Sequence, residues 1–326
     1  MASSLSSLAN HALTKQTWSS YRTASRMLKL CFKDINIPFP LSESYIVTFV
    51  SWLNNRNLSV STINSYLAGL RQLHLAKGLQ IPNIRSDLVS LILSGKKNVD
   101  LLYPVEKPTR IPVTPTILRI LKTQITNDVL PYHDKRLYWL ICTLAFHGSF
   151  RIGELLTRSP VSFDPNYTLL CSDIGTNITK IDNVPVKFLE VTLKHSKCSK
   201  NKPVVIDIFP TNSDLCPICA YIKWFKTRVS PSNLPAFRLS SGKALTPSNF
   251  NSKLRFWLKD YLDYSICSVS GHSFRAGIPS ILATMGFPDK DIKAAGRWSS
   301  RAFELYCKLP RTKRNAMSKA LGTLKL

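Results

Sequence analysis

The strongest constraint on the fold is the spacing of apolar residues in the first 95 positions, where they recur at steps of three and four. This is the period of an α-helix that buries one face. The pattern predicts four short helices, and serines are placed to cap the second and the third. The residues expected on the buried faces are Tyr21, Ala24, Met27, Leu28 and Cys31; Ile46, Phe49, Val50 and Leu53; Ile63, Tyr66, Leu67, Leu70 and Leu73; and Leu88, Leu91 and Leu93. Short loops between such helices predict a compact helical domain over residues 1–95.

The pattern breaks at residues 96–112, where prolines and lysines without a sustained period favour an extended linker. Thr114 and Pro115 then suit the N-cap and the first position of a new helix. Helical patterns dominate the remainder of the chain, interrupted by strand-like segments. The expected strands are residues 168–171, 187–193 and 203–209. Residues 113–326 are therefore predicted to be mainly α with a small antiparallel β-sheet.

The charge of the chain points to a polyanionic partner. Lys and Arg number 44 and Asp and Glu number 19, which gives a formal net charge of +25. Basic residues are spread along the whole length and interleaved with aromatic residues, a pattern typical of proteins that follow a phosphate backbone. An anionic membrane surface is the alternative. No apolar run reaches the roughly 18 residues of a membrane span, and the first residues do not resemble a signal peptide, so we expect no membrane insertion and no secretion.

The eight cysteines are too sparse for a disulfide scaffold and are interpreted as reduced thiols. Cys216 and Cys219 have the CxxC spacing of a zinc site, but zinc needs four ligands and no second pair lies nearby. We favour a helix that begins after Asp214 as N-cap, with both cysteines facing inward. No metal or cofactor is expected, and the absence of a phosphate-binding GxxxxGK[ST] loop implies no ATP site.

Two segments carry residues suited to binding a phosphate. The segment GHSFRAG places His272 and Arg275 three residues apart, so they share one face of a helix. An isolated HxxR of this kind is more often structural. Upstream, Arg151 follows a glycine-containing bend at the start of another helix, where backbone N–H groups also favour anions. Glu154 lies one turn further on and can hold that arginine in position.

Six residues in a fixed order carry a resemblance to a known family. They are Arg151, Lys197, His272, Arg275, Trp298 and Tyr306. Trp298 follows His272 by 26 positions, and Tyr306 follows Trp298 by eight. This order resembles the tyrosine recombinase (phage-integrase-like) family over essentially the whole chain. That family more commonly has His at the position of Trp298 and a step of nine residues to the tyrosine. The form GRWSS…LY, with SK in the hairpin and DLCP before the next helix, is most similar to recombinases of eukaryotic Crypton and DIRS elements.

The resemblance implies an enzyme that cuts and rejoins DNA through a 3′-phosphotyrosine, without metal or ATP. Arg151 and Arg275 would bracket the non-bridging oxygens, because a guanidinium binds phosphate at two points and stays charged. Tyr306 would be the nucleophile, and its ordinary pKa of about 10 means that it needs help to lose its proton. Nearby cations, and His272 as general base or orienting donor, would supply that help.

The remaining roles leave alternatives open. Lys197 is the candidate general acid for the leaving 5′ oxygen, because the pair Ser196–Lys197 falls after the predicted strand as it does in the family. Lys194, within or near the end of that strand, and Lys200 are its competitors. Trp298 can donate its indole N–H to a phosphate oxygen, pack in the core, or do both.

The resemblance also implies an assembly and a location. Residues 1–95 would be the core-binding domain that clamps double-stranded DNA opposite the catalytic domain, residues 113–326. A homotetramer on two duplexes is expected, with the tail at 312–326 docked on a neighbouring subunit or on its own domain. The location would be the nucleus in a eukaryote and the cytoplasm otherwise. A type IB topoisomerase and a non-catalytic DNA-binding protein derived from a recombinase remain as alternatives.

Overall fold

The structure is a computed structural model, and its chain divides into two compact units, Met1–Glu106 and Lys107–Leu326. It describes residues 13, 15–33, 37–104, 108–195, 202–228, 230–264, 267–298, 300–301 and 304.

The first unit is built from helices over its described residues, as the apolar spacing predicts. They are α1 (Lys15–Cys31), α2 (Glu43–Asn55), α3 (Val60–Ala76) and α4 (Asp87–Leu102). The predicted faces of the first three helices form the core, with Leu28, Phe49 and Leu67 among its fully buried residues. Ser59 caps α3, because its hydroxyl accepts the N–H of Thr62. The periodicity of the sequence therefore places these three helices correctly.

The fourth helix departs from the prediction in its buried face and its end. Leu88 and Leu91 are exposed, and the face turned to the core carries Val89, with Ile92 and Leu93 packed against the cluster. The helix also continues to Leu102, so the extended linker predicted for 96–112 is wrong over its first seven residues. The physical reason is that no proline occurs between Pro82 and Pro104, and the lysine-rich turn is helix-compatible.

The second unit places helices around one long buried helix. Its helices are α5 (Pro115–Asn127), α6 (Tyr132–His147), α7 (Ile152–Leu155), α8 (Pro217–Phe225), α9 (Pro247–Leu258), α10 (Gly271–Met285) and α11 (Asp289–Ala295). Helix α6 is buried along most of its length and packs against α5, α8 and α10. Thr114 and Thr246 cap α5 and α9, and each is followed by a proline at the first helical position. The core of this unit therefore fixes the C-terminal end of α6, which leads to Arg151.

A small antiparallel sheet completes the second unit. Strands β2 (Ile174–Ile181), β3 (Val184–Leu193) and β4 (Val204–Ile208) pair in the order β2-β3-β4. A further pair, β1 (Thr109–Arg110) and β5 (Cys267–Ser268), is parallel. This confirms the predicted mainly α fold with a small antiparallel sheet.

One strand is displaced from its predicted position. Residues 168–171 form only an isolated bridge at Leu170 and lead into a 3₁₀ turn, because the Asp173 carboxylate accepts the N–H of Leu170 at 2.8 Å. The strand that pairs with β3 is β2, which exposes most of its residues and so lacks a clear apolar alternation. A two-residue turn at Asp182 and Asn183, both with positive φ, joins the two strands.

The start of α8 also differs from the expectation. Its N-cap is Cys216, whereas Asp214 pairs with Arg119 at 3.3 Å and Lys122 at 3.2 Å. Cys216 is buried but Cys219 is exposed, so only one of the two cysteines faces inward. Pro217 suits the first helical position, which puts the N-cap at Cys216, two residues after Asp214. Most of the helices predicted for 299–306 and 312–323 lies outside the described residues. Within the described part of the chain, no helix is long and apolar enough to cross a membrane.

Candidate active site

Arg151 is placed by the sharp exit of the chain from α6. The helix ends at Gly148, Ser149 takes a left-handed conformation with φ of 47°, and Phe150 is buried in the core. The chain then starts α7 with Arg151 at its N-cap. Glu154 accepts the backbone N–H of Arg151 at 2.9 Å through Oε2 and its Nη1 at 2.7 Å through Oε1. The sequence predicted this orienting role of Glu154, and both contacts fix the guanidinium close to the helix start.

Helix α10 begins directly against α7. A Cβ atom on Gly271 would lie 2.1 Å from Cγ1 of Ile152, so only glycine allows this close approach. The backbone N–H of Gly271 also donates to Oδ1 of Asn251 at 2.8 Å. These contacts bring the His272 and Arg275 face of α10 to the turn that carries Arg151.

Arg275 is buried and binds backbone carbonyls on both sides of the site. Nη1 donates to the carbonyl of Ser149, and Nη2 donates to the carbonyl of Gly296 at 2.5 Å. Its guanidinium carbon lies 4.6 Å from the centroid of the Trp298 ring. A buried cation is expensive unless such groups satisfy it. Arg275 therefore links the α6–α7 turn to the segment that follows α11.

Trp298 lies flat against the backbone before it. A Cβ atom on Gly296 would lie 1.4 Å from Cζ3 of the ring, so the ring occupies the space where the side chain of any other residue at position 296 would lie. The side chain is half-buried. Packing and the contact with Arg275 both hold this indole in the site, whereas donation of its N–H to a phosphate oxygen stays a prediction.

Arg297 is a member of the site that sequence reasoning missed. Its Nη2 donates to the Ser149 carbonyl at 3.2 Å and lies 3.4 Å from Oε2 of Glu154. Its guanidinium carbon lies 4.7 Å from the centroid of the Phe150 ring. The only signal in the sequence was a basic residue between Gly296 and Trp298.

His272 lies at the exposed edge of the cluster. Partial burial lowers the pKa of its imidazole below the ordinary value, and the charges of Arg110, Arg151 and Arg275 lower that pKa further, against an opposing effect of Glu154. The ring is therefore neutral at pH 7. Arg110, which the sequence analysis also missed, belongs to β1, whose pairing with β5 brings it near the start of α10.

The described part of the site is strongly electropositive. The Glu154 carboxylate pairs with the guanidinium groups of Arg151 and Arg297. The charges of Arg110, Arg151 and Arg275 act together on His272, against that of Glu154 alone. Such an excess of fixed donors is suited to a phosphate, whose oxygens accept charge-assisted hydrogen bonds. Within the described residues there is no group of three or more His, Cys, Asp and Glu side chains that could hold a metal ion.

No protein-family model and no curated protein sequence matches the chain. Among solved structures, the Tn1549 transposon integrase in complex with circular intermediate DNA superposes with a TM-score of 0.59 at 15% identity, covering 97% of this chain and 99% of that one. A lambda integrase dimer bound to a core site gives 0.60 at 13% identity, covering 92% and 91%. The XerH site-specific recombinase gives 0.57 at 12% identity, covering 86% and 70%. The chain has the tyrosine recombinase fold.

Within this fold, the structure brings together four of the six predicted site residues. They are Arg151, His272, Arg275 and Trp298. Lys197 and Tyr306 lie outside the described residues, as does Lys200, so their placement stays a prediction. Lys194, a competitor for the role of general acid, lies 3.0 Å from Oδ2 of the largely buried Asp173 and donates to the Pro165 carbonyl at 3.3 Å. Lys194 is therefore paired with an acidic side chain, and the choice of general acid among the three lysines stays a prediction.

Proposed function

We propose that this chain is a site-specific DNA recombinase of the tyrosine recombinase family, most like those of Crypton and DIRS mobile elements. The observation that carries the proposal is the convergence of Arg151, His272, Arg275 and Trp298 at one electropositive site. The fold supports it, and the integrases with this fold were determined in complex with DNA.

The scissile phosphate binds beside Arg151 and Arg275. Their guanidinium groups bind its non-bridging oxygens and stabilise the negative charge that builds up on them as the phosphorus becomes five-coordinate. The hydrogen bonds to Glu154 and to the carbonyls of Ser149 and Gly296 fix both groups before DNA arrives. Such preorganised donors typically contribute about 10²–10³ in rate.

The covalent step uses Tyr306 as nucleophile. Its phenolic oxygen attacks the phosphorus, the bond to the 5′ oxygen breaks, and Lys197 gives that oxygen a proton. The neutral ring of His272 accepts the phenolic proton or orients the phosphate. The product is a 3′-phosphotyrosine, and attack by the 5′ hydroxyl of a partner strand reverses the chemistry. Because each transesterification exchanges one phosphodiester for another, the reaction needs no ATP, and in this mechanism Arg151 and Arg275 stabilise the charge on the phosphate without a metal ion.

Double-stranded DNA is the proposed partner, bound by both units in a homotetramer on two duplexes. The net charge of +25 implies many phosphate contacts, so the logarithm of the affinity should fall with the logarithm of salt concentration by about 0.9 per contact. A location in the nucleus follows if the host is a eukaryote, and in the cytoplasm otherwise. Mass photometry on a duplex that carries the site should show four protomers and two duplexes.

The decisive experiment uses duplexes with a nick near the cleavage site, which trap the covalent product. Wild type should accumulate a covalent adduct, whereas Arg151→Ala and Arg275→Lys should bind the same DNA and lose at least about 10²-fold in cleavage rate. Arg119→Ala is the matched control, because it removes an exposed arginine that is paired with Asp214 outside the site.

Three outcomes would contradict the proposal. If wild type forms no adduct, the chain is not a recombinase. If it relaxes supercoiled DNA without a defined site, the topoisomerase alternative is correct. If the Arg151 and Arg275 variants cleave as fast as Arg119→Ala, the residues at the candidate site do not perform the reaction.

A further inference from the structure

Two residues with unusual backbone conformations face each other across the candidate site. Ser149 and Arg297 both have positive φ values, 47° and 54°, in a region that favours glycine. A hydrogen bond joins them, from Nη2 of Arg297 to the carbonyl of Ser149 at 3.2 Å. Backbone conformations of this kind persist where the surrounding contacts fix them, and they cluster at functional sites.

The contacts of Arg297 connect both predicted phosphate-binding arginines. Its Nη2 lies 3.4 Å from Oε2 of Glu154, the carboxylate whose Oε1 binds Nη1 of Arg151. The Ser149 carbonyl that accepts from Arg297 also accepts from Nη1 of Arg275. The guanidinium also stacks over the ring of Phe150, which lies in the core. One side chain therefore shares a hydrogen-bond acceptor with each of the two arginines.

We propose that Arg297 is a positioning residue that holds Arg151 and Arg275 at a fixed separation, through Glu154 on one side and the Ser149 carbonyl on the other. The proposal rests on the proposed function and deepens it. The side chain of Glu154 is only 8% exposed, so burial restricts its movement toward other hydrogen-bond donors. Both contacts come from Nη2 of Arg297, whose N–H groups lie in the plane of the guanidinium and so have fixed directions, unlike the rotatable donors of an ammonium group.

The positive φ of Arg297 determines which substitution tests this role. Arg297→Gly removes the guanidinium and leaves a residue that adopts positive φ without strain, so the fold should be retained. Arg297→Asn is the second variant, because Asn tolerates the left-handed region with less backbone freedom than Gly. Single-turnover cleavage by both variants should fall about 10- to 100-fold, as expected when reacting groups are misplaced by up to about 1 Å. DNA affinity should change less than threefold, and Arg297→Lys should recover part of the rate.

A double-mutant cycle with Glu154→Gln distinguishes this role from others. If Arg297 acts through Glu154, Arg297→Gly should lower the logarithm of the cleavage rate less than half as much in the Glu154→Gln background as in wild type. Full additivity would overturn the proposal. A direct DNA contact would instead appear as weaker binding with a salt slope reduced by about 1. A merely structural role would lower thermal stability while the cleavage rate per folded molecule stayed at the wild-type value, and either result overturns the proposal.

A readout independent of cleavage separates failure of this proposal from failure of the proposed function. The side-chain Nε–Hε signal of Arg151, assigned with Arg151→Lys, reports its order by NMR in the absence of DNA. It should indicate a rigid side chain in wild type and a mobile one in Arg297→Gly and Arg297→Asn. If wild type forms no adduct but this difference is seen, the recombinase function fails and the positioning role stands. If the signal is unchanged in both variants, the positioning role fails.

Discussion

Adding one methyl group at Gly296 should displace the Trp298 ring from the candidate site. In Gly296→Ala the new Cβ would lie 1.4 Å from Cζ3 of Trp298 and 1.9 Å from Cε3, whereas ordinary contacts begin at 3.4 Å. The ring must therefore move by about 2 Å, because the backbone atoms of residue 296 are tied to Arg275 and to α11. The Trp298 ring would then leave the guanidinium of Arg275, from which its centroid is now 4.6 Å away.

The size of this effect combines the steric clash with the broken cation–π interaction between Trp298 and Arg275. Overpacking of this kind costs about 1–3 kcal/mol, and the cation–π interaction contributes about 1 kcal/mol more. We expect the free energy of unfolding to fall by about 2–4 kcal/mol on these two grounds. Displacement of the indole should slow DNA cleavage about 100-fold.

The assay is urea unfolding together with single-turnover cleavage of nicked DNA. The matched control is Gly153→Ala in α7, next to the same site, where a new Cβ meets no atom within 4 Å. This control should be neutral or more stable by up to about 1 kcal/mol, because alanine loses less backbone entropy than glycine on folding. Wild-type stability and cleavage in Gly296→Ala, or equal losses in both variants, would refute the reasoning.

Three further predictions concern the proton donor, the pH dependence and a buried carboxylate. Lys197→Ala should regain cleavage on a substrate whose bridging 5′ oxygen is replaced by sulfur, because a thiolate leaves without a proton. Lys194→Ala should cleave normal DNA well. Equal defects of Lys197→Ala on both substrates would show that Lys197 is not the general acid. Because the pKa of His272 is lowered from 6.5, its ring gains a proton only as the pH falls below about 6.5. We therefore expect kcat/KM to decline below that pH, and the decline should be absent in His272→Gln. Asp134→Ala should lower the free energy of unfolding by about 2–3 kcal/mol in urea titrations, because the buried carboxylate accepts both the N–H and the hydroxyl of Ser240. A loss below about 0.5 kcal/mol would contradict that account of Asp134.

The fold was predictable wherever one local pattern decides the structure. Helices α1–α3 bury the faces that their spacing predicts, and the threonine–proline pair at Thr114 starts α5. Strand β2 was not predictable in this way, because it exposes most of its residues and depends on pairing with β3. The buried face of α4 likewise depends on which residues meet the core, and Leu88 and Leu91 were credible candidates by spacing alone.

The site shows the same division between local and long-range information. The spacing of His272 and Arg275 and the bend before Arg151 are local, and the structure brings these residues together. Arg110 reaches the site through a parallel strand pair that connects residues more than 150 positions apart. Arg297 contributes from a backbone conformation that is unusual for arginine, and no sequence rule predicts that conformation at a residue other than Gly, Asn or Asp.

The most direct test of the central claim is to identify the amino acid that becomes attached to DNA. Wild-type protein is trapped on nicked duplex DNA, digested with trypsin, and the nucleotide-linked peptide is sequenced by mass spectrometry. The account predicts one modified peptide, residues 302–308, with the 3′ phosphate on Tyr306, the only tyrosine in that peptide. Tyr306→Phe should bind the same DNA and give no modified peptide. Attachment at another residue, or an adduct of undiminished yield in Tyr306→Phe, would contradict the account.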